Sequence, residues 1–215
     1  LHPSLLVLDA CCASDIPAIR PARLTIGWPG ADGGPGLTQS LETVCRQAAQ
    51  QVQSGARLLI LSDRDIPSGQ SPIPALMATS AVHHHLIKAG LRARCGLIVD
   101  TGEAREIHHI CCLLGYGAGA VVPWLALATI DALVDNGHLG EIDSSTARGN
   151  YVAALNKGIL KVLSKMGIST LQSYRGAQLF ECVGLDRKVI DRWFCGTGSR
   201  IGGADMTILA REIEA

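Results

Sequence analysis

The chain has 215 residues, of which 47% are hydrophobic and 18% charged, so it can bury a core of about one domain and is not disordered. Its 19 basic and 19 acidic residues cancel, which argues against a nucleic-acid partner held by bulk charge, and 4% aromatic residues are too few for a stacking surface. No apolar run is long enough to span a membrane, and we expect no signal peptide.

Short continuous apolar runs predict strands buried on both faces, which are typical of a parallel sheet. Three runs are followed closely or closed by an acidic residue: 5–9, 58–61 and 96–100. Residues 119–122 and 168–171 are weaker candidates.

Apolar residues repeating every three or four positions predict helices over residues 37–52, 75–89, 107–114 and 152–166, the last with Asn150 as N-cap. This alternation predicts an α/β fold: a mostly parallel sheet of about five strands with flanking helices, either an open sheet or a partial β/α barrel. The chain beyond residue 185 is expected to form short helices around a glycine-rich loop.

The cysteines and histidines predict no metal site. No CxxC pair occurs among the eight cysteines, so we expect reduced, mostly buried thiols in a cytoplasmic protein and no iron–sulfur site within this chain. The three histidines 83–85 point about 100° apart on a helix and cannot converge on one ion, and the pair 108–109 has the same defect. We interpret both groups as surface or interface histidines, with a composite metal site between the two helices as the alternative.

The glycine-rich stretch 196–203 resembles a dinucleotide loop, but the third glycine of the pattern is replaced by Ile201 and no clear strand precedes it. A turn whose backbone amides bind an anion remains open. Lys157, Lys161 and Lys165 form a basic stripe that we interpret as a solvated helix face. No catalytic Ser-His-Asp or Cys-His signature can be assigned.

Polar residues follow the predicted strands, at the edge where open α/β sheets bind ligands. They are Asp9, Asp63, Arg64, Asp100, Thr101, Glu103, Gln172 and Ser173. We expect most of them to cap helices and pair locally; Asp100 and Glu103 have the spacing of a cap for a helix starting at Ala104. A ligand site is the alternative.

Four long blocks of the sequence, residues 73–87, 99–109, 156–178 and 196–203, resemble the central domain of the glutamate synthase large subunit, in family order. The resemblance extends over nearly the whole chain. It implies a central-type α/β domain over residues 5–185 and a helical tail over 186–215 leading toward an FMN-binding barrel that this chain lacks.

The resemblance also implies a function. In this family a glutaminase domain releases ammonia, which travels through an internal tunnel to 2-oxoglutarate, and the resulting imine is reduced by FMN to L-glutamate. FMN and an iron–sulfur cluster belong to the barrel, so we expect no cofactor, no metal and no catalytic residue in this chain. The implied partners are the glutaminase and FMN-barrel domains of the same polypeptide, and as electron donor either an NADPH-oxidising small subunit or ferredoxin.

The block nearest the barrel is expected to shape the interdomain interface or the tunnel. Its candidate residues are Lys165, Ser169, Gln172, Ser173 and Arg175. The alternative hypothesis is a free-standing α/β protein that binds a small molecule near Asp63, Asp100 and Gln172.

Overall fold

A computed structural model describes residues 20–215. Its strands are β1 (Pro21–Thr25), β2 (Gly27–Trp28), β3 (Leu58–Ser62), β4 (Ser71–Pro72), β5 (Gly96–Asp100), β6 (Ala120–Val122), β7 (Glu181–Leu185) and β8 (Gly198–Ala204). Its α-helices are α1 (Gly33–Gln53), α2 (Ala75–Lys88), α3 (Ile107–Gly115), α4 (Trp124–Asp135), α5 (Ser144–Lys165), α6 (Leu171–Tyr174), α7 (Arg187–Trp193) and α8 (Met206–Glu214).

The main sheet is parallel throughout and has the order β1-β3-β5-β6. The α/β fold with a parallel sheet and flanking helices is therefore confirmed. In the described part of the chain, this main sheet has four strands. The predicted strand at residues 5–9 lies outside that part. Because the strand order never reverses, right-handed crossovers place α1, α2 and α3 on the same face of the sheet.

Alternate residues of the strands separate two faces of the sheet. Leu59, Leu61, Leu97 and Val99 pack into the main core with these helices. The opposite face carries a smaller apolar cluster of Ile60, Ile98 and Val122, which is covered by Trp124. On the same face, the polar side chains lie at the carboxyl ends of the strands. This second face therefore positions the polar residues at the carboxyl edge.

Two local predictions are wrong. Residues 168–170 form no strand, because the Thr170 hydroxyl accepts the N–H of Ser173 at 3.1 Å and begins the short helix α6. Helix α5 begins at Ser144, not near Asn150, because Asp143 caps it by accepting the N–H of Thr146 at 2.9 Å.

The C-terminal part of the chain packs back onto α1, the first α-helix of the described residues. Strand β8 pairs in parallel with β7, so the tail predicted to be helical also contains a strand. Helix α8 packs on α1 so closely that a Cβ on Gly34 would lie 2.8 Å from the backbone nitrogen of Thr207. Within residues 20–215, no helix is both long and apolar enough to cross a bilayer.

Candidate functional site

Asp100 is the centre of a charged network at the carboxyl edge of the sheet. Its fully buried carboxylate accepts the hydroxyl of Ser62 at 2.8 Å from the neighbouring strand. Arg23 on β1 donates to it at 3.1 Å, and Arg64 donates to both of its oxygens, at 2.9 and 3.3 Å. A buried carboxylate is stable only when it is paired and hydrogen-bonded in this way. The network therefore ties β1, β3 and the following loop to β5.

Asp63 is held in a second network beside the first. Its carboxylate accepts the hydroxyl of Thr101 at 2.5 Å, the N–H of Gly102 at 2.9 Å and the indole N–H of Trp124 at 2.6 Å. Thr101 and Gly102 lie in the loop after β5 and Trp124 is the first residue of α4, so Asp63 holds that loop against the start of α4. The expected pairing is confirmed for Asp63, Arg64, Asp100 and Thr101, while Arg23 and Trp124 are partners that the sequence analysis missed.

Glu103 acts on a different helix from the one predicted. Helix α3 begins only at Ile107 and lacks a side-chain cap, so the capping arrangement proposed before Ala104 does not form. Instead, Glu103 accepts the N–H of Ala75 at 2.9 Å at the start of α2, which has no other side-chain cap. Glu103 thereby connects the loop after β5 to α2.

Gln172 and Ser173 do not lie at this edge. They belong to α6, whose Leu171 lines an apolar cavity together with Gly119, the residue before β6. The N–H of Gly176 then donates to the carbonyl of Gly115, at the end of α3, at 2.8 Å. Both contacts are at the amino end of the strands, so Asp63, Asp100 and Gln172 form no common pocket.

The segment from Lys165 to Arg175 is anchored by Ile168, Leu171 and Tyr174, and most of its polar side chains face outward. The Tyr174 side chain is buried, whereas Lys165, Ser169, Gln172 and Ser173 are exposed and Arg175 is half-buried. The segment is therefore a fixed surface feature with a polar outer side.

The three consecutive histidines serve separate contacts. His83 accepts the Nε–H of Arg92 at 2.9 Å through Nδ1, and His84 has Nδ1 2.9 Å from the carbonyl of Ser80. His85 lines a cleft against α1 and α7. In the described part of the chain, no three His, Cys, Asp or Glu side chains are placed to share a metal ion.

His83 gives the stability of the domain a pH dependence. Burial, and then the charge of Arg92, lower the pKa of His83 to about 4 from 6.5. Since the unfolded chain takes up this proton first, stability should fall as the pH drops from 6.5 toward 4.

We expect His83→Asn, which can still accept from Arg92 through its side-chain oxygen, to reduce this dependence of stability on pH, measured by urea unfolding at a series of pH values. The exposed His138→Asn is the control; an unchanged slope in His83→Asn would contradict the assignment.

A small cavity with a mixed polar and apolar lining lies beneath the segment that follows Tyr174. It has a volume of about 50 Å³, and its walls include His83, Tyr116, Tyr174, Cys195 and Thr197. The hydroxyls of Tyr116 and Thr197 are hydrogen-bonded at 2.7 Å. Because the low pKa of His83 keeps its imidazole neutral at neutral pH, this side chain adds no positive charge to the lining. We call this space the tyrosine cavity.

Comparison with protein families gives a match over residues 8–186 to the glutamate synthase central domain. The chain belongs to this family. It is 48% identical over 178 residues to the NADPH glutamate synthase large chain of Bacillus subtilis, covering 83% of this chain and 12% of that protein. It is 44% identical to the NADH glutamate synthase of Schizosaccharomyces pombe, covering 97% of this chain and 10% of that protein.

A ferredoxin-dependent glutamate synthase of Synechocystis is also 44% identical, over 85% of this chain and 12% of that protein. The glutamate synthase domain thus spans about a tenth of the length of these relatives, and the resemblance seen in the sequence is confirmed. Among solved structures, a double variant of flavocytochrome b2 with sulfite bound aligns over 62% of this chain and 32% of that chain, with 15% identity and a TM-score of 0.45.

The remaining motifs of this glutamate synthase domain have structural explanations. Residues 198–204 of the glycine-rich stretch form β8, and a Cβ on Gly203 would overlap the carbonyl of Gly184 on β7. The described cysteines are free thiols; Cys11 and Cys12 lie outside the described residues. Burial raises the pKa of Cys45 to about 12, so this thiol stays protonated.

Proposed function

We propose that this chain is the central domain of a large glutamate synthase polypeptide that converts glutamine and 2-oxoglutarate into L-glutamate. The supporting observation is its 48% identity with the Bacillus subtilis large chain, of which it spans 12%. The domain connects a glutaminase domain with an FMN-binding barrel and contributes no catalytic residue. FMN and the iron–sulfur cluster belong to the neighbouring barrel, and either an NADPH-oxidising small subunit or ferredoxin supplies the electrons. The reduced thiols fit a cytoplasmic location.

The carboxyl edge of the sheet supports a connecting role because its acidic groups already have intramolecular partners. Asp100 accepts from two guanidinium groups and a hydroxyl, and Asp63 accepts from two side chains and a backbone amide. A general acid or base must be able to reach the substrate proton that it moves. Carboxylates held in these bonds stabilise the domain instead.

This role has a direct test on residues 1–215. We expect titration of FMN with the isolated chain, followed by flavin fluorescence, to give no binding at micromolar or tighter concentration. The barrel, not this domain, would provide the flavin ligands. Micromolar binding of FMN by the isolated chain would overturn the connecting role.

The surface assigned to the neighbouring domain or to the ammonia tunnel is the outward side of the segment after α5. Its residues are Lys165, Ser169, Gln172, Ser173 and Arg175. Four of them are exposed although Tyr174, in their midst, is buried and fixes the segment. An anchored polar surface of this kind suits an interdomain contact, because such contacts are more polar than a protein core.

The tyrosine cavity, which is lined by Tyr174 and by residues that follow it, is proposed as part of the path for ammonia. The tyrosine and threonine hydroxyls of its lining can exchange hydrogen bonds with a small neutral molecule. Because its pKa is low, the imidazole of His83 is neutral at neutral pH and does not protonate ammonia. Protonation would convert ammonia into a cation that the Arg92 charge beside His83 repels.

Cys195 offers a way to obstruct this path, because it is exposed and lines the cavity. In the full-length polypeptide, we expect Cys195→Phe to release glutamine-derived ammonia into solution and to reduce glutamate formed per glutamine hydrolysed. Reduction of bound FMN should be unchanged. Cys195→Ser is the matched control and should remain coupled. Full coupling in a stably folded Cys195→Phe variant would remove the cavity from the path while leaving the family assignment intact.

A further inference from the structure

A second cleft lies between helices α1, α2 and α7, away from the carboxyl edge of the sheet. Its volume is about 330 Å³, at the lower end of the range for ligand sites, about 300–1,000 Å³. Its ionisable lining residues, apart from the buried Cys45, are Glu42, Arg46, His84, His85, Lys88 and Arg192. We call it the basic cleft. Neither the family assignment nor the proposed connecting role uses it.

The charges of the basic cleft do not balance. Arg192 forms an ion pair with Glu42, and its guanidinium lies 4.8 Å from the centroid of the Trp193 ring. Within residues 20–215, neither Arg46 nor Lys88 forms an ion pair; Arg46 donates only to the hydroxyl of Thr43, at 2.9 Å. Three cations thus face one carboxylate, which leaves an excess of two positive charges before the two histidines are counted.

The remaining walls of the cleft add no negative charge. The Nδ1 of His84 lies 2.9 Å from the carbonyl of Ser80, an acceptor, so Nδ1 carries a proton and is already paired. Cys45 and Ala81 form part of the buried floor, and the raised pKa of Cys45 keeps that thiol neutral. An anion in the cleft would therefore meet cations on three helices and one carboxylate that is already paired.

We propose that the basic cleft binds a small phosphate-class anion carrying at least two negative charges. A guanidinium presents a planar set of donors that matches phosphate oxygens, and an ammonium adds a mobile point charge. Arg46 on α1 and Lys88 at the end of α2 supply these two groups from different helices. The pair of Glu42 and Arg192 closes the third side of the site.

The test uses residues 1–215 and sodium pyrophosphate as the probe, in calorimetric titrations at low ionic strength. We expect saturable binding that weakens by about tenfold or more when Arg46→Gln and Lys88→Gln are combined, since each removes a charge-assisted contact. Both side chains are exposed, so this variant should fold, and a thermal melt checks that it does.

The matched control combines Arg211→Gln with Lys161→Gln, which removes one exposed arginine and one exposed lysine outside the cleft. The control should keep the wild-type affinity within about twofold, because it changes the net charge equally but leaves the cleft intact. Equal weakening in both double variants would attribute binding to bulk charge and overturn the site. Absence of saturable binding, or malonate binding as tightly as pyrophosphate, would overturn the phosphate assignment.

Discussion

Replacing Asp100 with asparagine is expected to lower the free energy of unfolding by about 3 kcal/mol. The substitution keeps the size of the side chain but removes the charge that Arg23 and Arg64 share. Both carboxylate oxygens of Asp100 accept hydrogen bonds, so the NH2 group of the asparagine faces at least one donor and that buried hydrogen bond is lost as well. For a chain of this size, we expect the melting temperature to fall by roughly 6–12 °C. Urea unfolding followed by circular dichroism measures the loss.

Asp135→Asn is the matched control, because Asp135 is exposed at the end of α4 and forms no ion pair within residues 20–215. It should change stability by less than about 0.5 kcal/mol. If both variants lose equally little, the buried network does not stabilise the sheet edge in the way its geometry implies.

A thermodynamic cycle with Arg23→Gln separates the ion pair from other effects of the substitution. Arg23 is the better partner for the cycle because its side chain is about one-third exposed and its Nη1 contacts only Ser62 and Asp100. We expect the double variant to lose less stability than the sum of the two single variants, since the second change removes an already unpaired charge. Strict additivity would contradict a direct coupling.

Strands β3 and β5 could be predicted because both of their faces are buried, and the position of their carboxyl edge follows from that prediction. Strands β3 and β5 are nearly continuous apolar runs, and parallel strands bring their carboxyl ends to one edge. Asp63, Asp100 and Thr101 therefore lie together as the sequence indicated. Their partners could not be found in the same way, because the contacts with Arg23 and Trp124 cross long stretches of chain.

Strand β1 escaped prediction because its second face is polar. Its sequence, Pro-Ala-Arg-Leu-Thr, has one large apolar residue, Leu24, directed to the core, while Arg23 faces Asp100. At residues 168–171 the sequence predicts a strand that does not form, because Thr170 caps the start of helix α6. This wrong strand prediction also placed a candidate site residue at the wrong edge of the sheet. Gln172 was expected at the carboxyl edge only because that strand was expected.

The glycine-rich residues 196–203 predict a loop where β8 forms, because glycine is depleted in strands. Here the glycines permit close approach between two backbones. A Cβ on Gly203 would overlap the carbonyl oxygen of Gly184, which belongs to β7 and has a φ of 79° that favours glycine. The sequence shows the glycines but not the neighbouring strand that requires them, so the pairing could not be inferred from it.

Gly203→Ala is therefore expected to break the pairing of β8 with β7 and to cost about 2 kcal/mol, as overpacking at a fixed backbone contact does. The atoms in the way belong to the main chain of Gly184 and cannot rotate aside. Amide hydrogen exchange should accelerate in residues 181–185 and 198–204 while β3 and β5 stay protected, because those strands lie in the separate main sheet.

The neighbouring Gly202 provides the control within the same strand, because a Cβ there would meet nothing within 4 Å and its φ is not in the left-handed region. Gly202→Ala should leave exchange unchanged and raise stability slightly, by up to about 0.5 kcal/mol, since alanine loses less backbone entropy on folding. If both alanine variants weakened the pair equally, flexibility of the glycine run would explain it. A loss confined to Gly203→Ala means that the sequence keeps glycine there for contact with β7.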